Sequence, residues 1–148
     1  MGVNAKSYED LKVVATIDPD AASAGTVTSG WIAAADFLRF LVIIMAGDLG
    51  SSATLNAKIE QASDSSGTGA KDVTGKAITQ LTQAGTDSDK QVLIHVDQND
   101  LDVDNAFTHF RVSMTVATAA SEIAAVVLGM QPTRSGIAQK ASVDELVA

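Results

Sequence analysis

Hydrophobic and polar residues alternate along much of this chain, in short segments that are separated by turn residues. Within Ala53–Ala62, for example, Leu55, Ala57 and Ile59 are each followed by a polar residue. Alternation with a period of two is typical of a β-strand that has one buried face. Comparable patterns and short β-rich runs predict further strands over the following segments: Asp10–Ile17, Gly25–Trp31, Leu38–Ala46, Ala77–Thr82, Lys90–Asp97, Ala106–Thr118 and Ser121–Met130.

These segments indicate an all-β protein, because many short strands with frequent turns are typical of antiparallel sandwiches. We expect an antiparallel, jelly-roll-like β-sandwich over residues 10–130, with an N-terminal arm at residues 1–9 and an extended C-terminal arm at residues 131–148. The triplet Asp18-Pro19-Asp20 predicts a turn after the first strand. Helix is expected as a short turn near residues 32–37 and as a short terminal helix at residues 142–147, where Ser142 and Glu145 have capping-box spacing.

One predicted strand, Leu38–Ala46, is apolar on both of its faces. One face carries Leu38, Phe40, Val42 and Ile44, and the other carries Arg39, Leu41, Ile43 and Met45. A strand of an antiparallel sandwich commonly leaves one face to water. Two explanations remain open: a loop or arm of the same chain covers the second face, or this face forms part of a subunit interface.

Composition and charge narrow the classes of partner. The net charge is −8 and the ten basic residues are scattered, whereas binding to a nucleic-acid backbone requires clustered Lys and Arg. The longest uncharged apolar run in the middle of the chain, Phe40–Gly47, is far shorter than the roughly 20 residues that span a bilayer. The chain has no cysteine, which excludes disulfides and thiolate metal sites. We therefore expect neither a nucleic acid nor a membrane as partner.

Two groups of side chains have the chemistry of metal ligands. His95 and His109 would approach each other if their predicted strands paired, although a zinc site would need a third ligand. Asp100, Asp102 and Asp104 have the spacing that opens a calcium-binding EF-hand loop, but the residues that follow lack its glycine and its bidentate glutamate. Surface histidines and a solvated acidic turn explain both groups, so we expect no metal and no cofactor.

The chain offers little of the chemistry that enzymes use. No serine stands in a Gly-x-Ser-x-Gly context, and Gly67 and Gly69 are not followed by the Gly-Lys-Ser/Thr of a phosphate-binding loop. Aromatic residues, which usually line sugar-binding clefts, make up only 4% of the chain. We expect no enzymatic activity, and a jelly-roll carbohydrate-binding module or small hydrolase is the weakest of the hypotheses.

Four stretches of the chain together resemble a family of small structural proteins that are encoded among the head genes of tailed bacteriophages. They are GTVTSGWI at Gly25–Ile32, GSSATLNAKIEQASD at Gly50–Asp64, GAKDVTGKAITQL at Gly69–Leu81, and ASVDELV at Ala141–Val147. The segment Thr108–Val116 fits the same pattern, so the resemblance covers most of the chain from about Gly25 onward. It implies a β-sandwich subunit of the virion, trimeric on the outer capsid surface, and it supplies no catalytic or ligand-binding residue.

The sequence therefore favours a capsid decoration, or cement, protein, made in the host cytoplasm and located on the virion surface. The expected partners are the major capsid protein and further copies of this chain in a homotrimer. We expect trimer contacts at Arg39, Leu41, Ile43 and Met45. The segments Val3–Tyr8 and Pro132–Val147 are expected to reach the capsid, through Tyr8, Pro132, Arg134, Ile137 and Leu146. The alternative is a head–tail connector or completion protein, or the base of a head spike, in the same virion.

Overall fold

The computed structural model describes residues 6–147, and β-strands dominate this part of the chain. One helical turn, α1 (Ser7–Asp10), precedes the first strand, and 3-10 turns lie at Ala34–Asp36, Gln98–Asp100 and Val103–Asn105. The all-β prediction is therefore confirmed. The strands are β1 (Leu11–Ala22), β2 (Gly25–Thr28), β3 (Ile32–Ala33), β4 (Phe37–Ala46), β5 (Thr54–Ala62), β6 (Lys71–Ala77), β7 (Leu81–Thr82), β8 (Gln91–Asp97), β9 (His109–Ala117) and β10 (Ser121–Pro132).

The strands pair as a nested set of antiparallel partners. β1 pairs with β10, β2 with β9, β4 with β8, and β5 with β6. The first sheet has the order β1-β10-β4-β8, and the second has the order β2-β9-β5-β6, with β3 added beside β9 and β7 beside β5. Such nesting arises when one long hairpin folds over on itself into two sheets, which is the jelly-roll arrangement. The predicted antiparallel, jelly-roll-like β-sandwich is therefore confirmed.

The core lies between the two sheets and is built from alternate residues of their strands. Phe40 in β4 and Phe110 in β9 meet across it, with ring centroids 4.8 Å apart and an edge-to-face geometry. Both side chains are fully buried. Burying one such side chain contributes about 1.5–3 kcal/mol, so this pair stabilises the contact between the sheets.

The first strand runs further than predicted. β1 continues through Pro19 to Ala22, and the expected turn at residues 18–20 is instead a bulge, where the register with β10 shifts between Ile17 and Asp20. β1 lies at the edge of its sheet, so a proline without an N–H is tolerated there. The strand predicted at Ala77–Thr82 is also displaced. β6 occupies residues 71–77, and only the short β7 lies inside the predicted range.

The two predicted helical segments have different outcomes. The short turn near residues 32–37 is present as the 3-10 turn Ala34–Asp36. The terminal helix is absent: residues 133–147 contain neither helix nor strand. Nucleating a helix is costly, and the few residues after Ser142 cannot offset that cost. In the N-terminal arm, Ser7–Asp10 forms α1, while residues 1–5 lie outside the described part of the chain.

Candidate interaction surface

The outward side of the first sheet is apolar at its centre. Leu41, Ile43 and Met45 of β4 alternate with the buried Phe40, Val42 and Ile44, so they point away from the core. β10 lies on one side of β4 and β8 on the other. Their outward residues continue the surface in register: Leu128 lies beside Leu41, Val126 and Leu93 lie beside Ile43, and Ala124 lies beside Met45. We call Leu41, Ile43, Met45, Leu93, Val126 and Leu128 the apolar face.

Parts of the apolar face are open to solvent. Leu93 is 62% exposed and Met45 is 39% exposed, while Leu41, Ile43, Val126 and Leu128 are half-buried. Scattered apolar residues are normal on a protein surface, but a contiguous group across three strands is typical of an interaction site. Leu38, by contrast, was expected to face inward with Phe40 and is 57% exposed, because Phe37 fills the core at this end of β4.

The outward side of the second sheet is polar. Asn56, Lys58 and Glu60 of β5 lie beside Thr115, Ser113 and Arg111 of β9. Ion pairs link Lys58 to Asp72 at 2.6 Å and Arg111 to Glu60 at 2.8 Å. A sheet face of this composition is suited to water. The outward face of the first sheet is therefore apolar and that of the second is polar. This makes the first sheet the better candidate for contact with another surface.

The C-terminal segment contacts its own chain. Pro132 is the last residue of β10, opposite Phe37, and Arg134 forms an ion pair with Asp36 at 3.1 Å. Ile137 packs against the core. Three of the residues expected to reach the capsid are thus engaged within this subunit, because the segment turns back toward β1 and the 3-10 turn at residues 34–36. Leu146 remains exposed at the far end of the segment.

The expected contact at Tyr8 lies in α1. Its carbonyl oxygen accepts a hydrogen bond from the Lys12 ammonium at 2.6 Å, and its ring is half-buried, with the Lys6 ammonium 5.7 Å from the ring centroid. Of the expected contact residues, the structure brings together Arg39, Leu41, Ile43 and Met45 along β4. Leu93, Val126 and Leu128 were missed. They lie in continuous apolar runs, so the sequence shows neither which of these side chains face outward nor the strand order that places them beside β4.

An open pocket of about 620 Å³ lies at the Met45 end of the apolar face. Apolar parts of Pro19, Met45 and Ala124 line it. Its other lining residues include three acids, namely Asp20, Asp89 and Glu122. We call this feature the acid-rimmed pocket. The β1 bulge brings Asp20 to it, and backbone hydrogen bonds to Gly47 hold the other two: Gly47 N–H donates to Glu122 O at 2.7 Å, and Asp89 N–H donates to Gly47 O at 3.2 Å.

His95, Asp97 and Asp100 form a second cluster, in which one potential ligand atom of each lies within 4.8 Å of the others. The Lys76 ammonium lies 2.9 Å from Asp100 and donates to the carbonyl oxygen of His95 at 2.7 Å. Partial burial alone would raise the pKa of Asp97, but hydrogen bonds from the Asn99 N–H and His95 outweigh it and hold that pKa below its usual value. A lysine thus supplies the positive charge that a metal ion would bring.

The other candidate ligands are also separated or engaged. β8 and β9 belong to different sheets, so the condition for bringing His95 and His109 together is not met. Asp102 forms an ion pair with Lys71 at 2.6 Å. This contact is the largest cause of the lowered pKa of Asp102, and the hydrogen bond from the Asn105 side-chain amide is the second largest. The side chain of Gln61 accepts the Asp102 N–H at 2.7 Å. The acidic turn is therefore organised by contacts within the chain.

Comparisons with known proteins identify no family: no protein-family model matches this chain, and no curated protein matches it. One similar solved structure is that of the infectious bursal disease virus Gx strain, with 12% identity and a TM-score of 0.43 over 81% of this chain and 32% of that one. Another is a xylanase 10C variant from Cellvibrio japonicus in complex with xylopentaose, with 13% identity and a TM-score of 0.37 over 84% of this chain and 28% of that one.

This chain thus spans about a third or less of either similar chain. None of the helices within residues 6–147 has the length and apolar character needed to cross a bilayer.

Proposed function

We propose that this protein is a non-enzymatic structural protein of a tailed-bacteriophage virion, which decorates the outer surface of the capsid and stabilises the shell. The observation that carries the proposal is the contrast between the two outward faces of the sandwich. One is apolar around Ile43 and Leu93, and the other is polar around Lys58 and Arg111. A subunit that works in an assembly needs one face for neighbours and one for solvent.

The resemblance to phage head proteins supports the proposal in a specific way. Three of the resembling stretches, Gly25–Ile32, Gly50–Asp64 and Gly69–Leu81, contain β2, β5 and β6 and the first residue of β3 and of β7, and the fitting segment Thr108–Val116 contains most of β9. Together these strands make up the polar second sheet. The resembling stretches other than Ala141–Val147 therefore lie together in one sheet, while Ala141–Val147 belongs to the C-terminal segment.

The proposed partners are the major capsid protein and further copies of this chain, three per assembly, with copies meeting through the apolar face. Contact with the shell falls to the exposed end of the C-terminal segment, where Val147 is 84% exposed, because residues 132–140 contact their own subunit. A protein that binds only the mature shell stabilises it by mass action. Several weak contacts held in one oligomer reinforce one another, so modest affinity per site suffices.

Shell binding and copy number test the proposal. Purified protein is mixed with expanded empty capsids of its phage and sedimented, and copies per shell are counted by quantitative gel analysis. Hundreds of copies per particle support a decoration protein. A dozen or fewer per particle would move the protein to the head–tail junction or a spike base, and absence from the particle would overturn the proposal.

Two variants locate the contacts. A chain that ends at Lys140 keeps the described contacts to Asp36 and Val13, so it should keep its melting temperature and lose shell binding. Asn56→Ser, on the exposed polar face of the second sheet, is the matched control and should bind as the wild type does. Normal binding by the truncated chain would assign the shell contact to another surface.

A further inference from the structure

We propose that the acid-rimmed pocket of one copy of this chain binds the Arg39 end of the apolar face of a second copy. The inference rests on the self-association in the proposed function, but it does not depend on the virion role. It assigns a defined occupant to the pocket and a direction to the contact between copies.

The pocket selects a cation beside an apolar surface. Asp20, Asp89 and Glu122 line it together with Met45 and Ala124. None of the ion pairs among residues 6–147 includes these three acids. An apolar floor with uncompensated carboxylates around it complements a long side chain that has an apolar stem and a positive end.

Arg39 has the corresponding free charge. It lies on the outward side of β4, six residues before Met45, and is therefore about 20 Å from the pocket along the strand. Its Nε and Nη2 atoms donate to Gln131 Oε1 at 3.0 and 2.7 Å, a neutral acceptor that orients the guanidinium without neutralising it. Its cross-strand neighbour Asp97 forms no ion pair with it; that carboxylate accepts the Asn99 N–H and lies 3.4 Å from His95 Nε2. Arginine is also the cation best suited to paired contacts with carboxylates.

The stretch between the two ends is apolar. Leu41 and Ile43 of β4 lie beside Leu128 and Val126 of β10, so the outward side of these two strands has a cation at one end, an apolar centre and, in the pocket, acids at the other end. The Arg39 end and the acid-rimmed pocket lie at opposite ends of this surface, so each copy can offer its Arg39 to the pocket of the next copy. In a ring of three copies each subunit supplies one Arg39 and one pocket, and the ring closes with every pocket occupied.

A charge exchange tests the contact. We expect Arg39→Glu and Glu122→Arg each to weaken self-association about tenfold or more, because each brings like charges together at the interface. The double variant restores the attraction with reversed polarity and should return to within about threefold of the wild type. Asp104→Arg, which changes an exposed acid outside the face, is the matched control and should leave association unchanged. Sedimentation equilibrium over a concentration series gives the constants, and melting temperatures confirm that each variant is folded.

The outcomes separate this inference from the proposed function. A double variant that associates as weakly as the single variants overturns the pairing of Arg39 with the pocket, as does a wild-type chain that stays monomeric throughout the series. If the chain is monomeric and still binds shells, the proposed decoration function stands and only the contact between Arg39 and the pocket is overturned. If the double variant regains self-association but the wild-type protein does not bind shells, the contact is supported and the decoration function is overturned.

Discussion

The backbone N–H of Lys140 donates to the carbonyl oxygen of Val13 at 2.8 Å, which fastens the C-terminal segment to β1. The side chain of Gln139 completes the contact, since its Oε1 accepts the Val13 N–H at 2.7 Å and its Nε2 donates to Leu11 O at 3.3 Å. β1 is an outer strand of its sheet, where backbone groups would otherwise lack partners. The segment therefore covers part of a sheet edge and contributes to the fold.

Gln139→Ala should lower the free energy of unfolding by about 1–2 kcal/mol, because the half-buried Val13 N–H loses its acceptor. For a chain of this length, each kcal/mol corresponds to a fall of about 2–4 °C in Tm. Thermal unfolding followed by circular dichroism measures the change. Glu145→Gln, at an exposed position later in the same segment, is the control and should melt as the wild type does. An unchanged Tm for Gln139→Ala would show that the segment does not stabilise β1 in solution.

Gly129 lies under the ring of Phe37. A β-carbon built on Gly129 would lie 2.6 Å from Phe37 Cδ2, and the Phe37 ring is held edge-to-face against Phe40 with centroids 5.6 Å apart. We expect Gly129→Ala to lower the free energy of unfolding by about 1–3 kcal/mol through overpacking. Urea denaturation measures it. Gly30→Ala adds a β-carbon with no heavy atom within 4 Å, so it should change stability by less than about 0.5 kcal/mol. Equal stability of the two variants would mean that the Phe37 ring moves aside freely.

Acid should remove the contribution of the Lys71–Asp102 ion pair. The Lys71 contact holds the pKa of Asp102 below its usual value of 3.8 in the folded chain. A carboxyl group with a lowered folded-state pKa contributes stability above its unfolded pKa, and this is lost as pH falls through the folded-state pKa. Asp102→Asn should therefore melt below the wild type at neutral pH, and the gap should close in strong acid. Asp104→Asn, exposed in the same turn, is the control; a gap that persists in acid would contradict the assignment.

Alternation in the sequence was enough to predict single strands but not their neighbours. The strand expected at residues 53–62 is β5 at Thr54–Ala62, because its apolar residues recur at every second position. β6 was missed, since only Val73 among its residues is buried, and its polar residues are typical of a loop. Alternation predicts which side chains share a face. It does not predict which strand lies alongside, because in this fold the partners are far apart in the chain.

In the candidate site too, the sequence predicted the residues of a single strand but not the residues of its neighbours. Leu41, Ile43 and Met45 could be singled out because both faces of one strand are apolar. Leu93, Val126 and the acids of the pocket come together only through the nested pairing of β4 with β8 and β10 and through the bulge at Pro19. A turn was the expected role of that proline, since its chemistry suits a turn and an edge-strand bulge equally.

Lys76 should determine whether the His95–Asp97–Asp100 cluster accepts a metal ion. Its ammonium lies 2.9 Å from Asp100, so we expect excess zinc to leave the Tm of the wild type unchanged. Lys76→Ala removes that charge and leaves one imidazole and two carboxylates within reach of a common ion, so zinc should raise the Tm of this variant. At a hundred times the dissociation constant the gain is about 2.7 kcal/mol. Adding His95→Ala to Lys76→Ala should abolish the zinc response, and a zinc shift in the wild type would show that Lys76 does not exclude the ion.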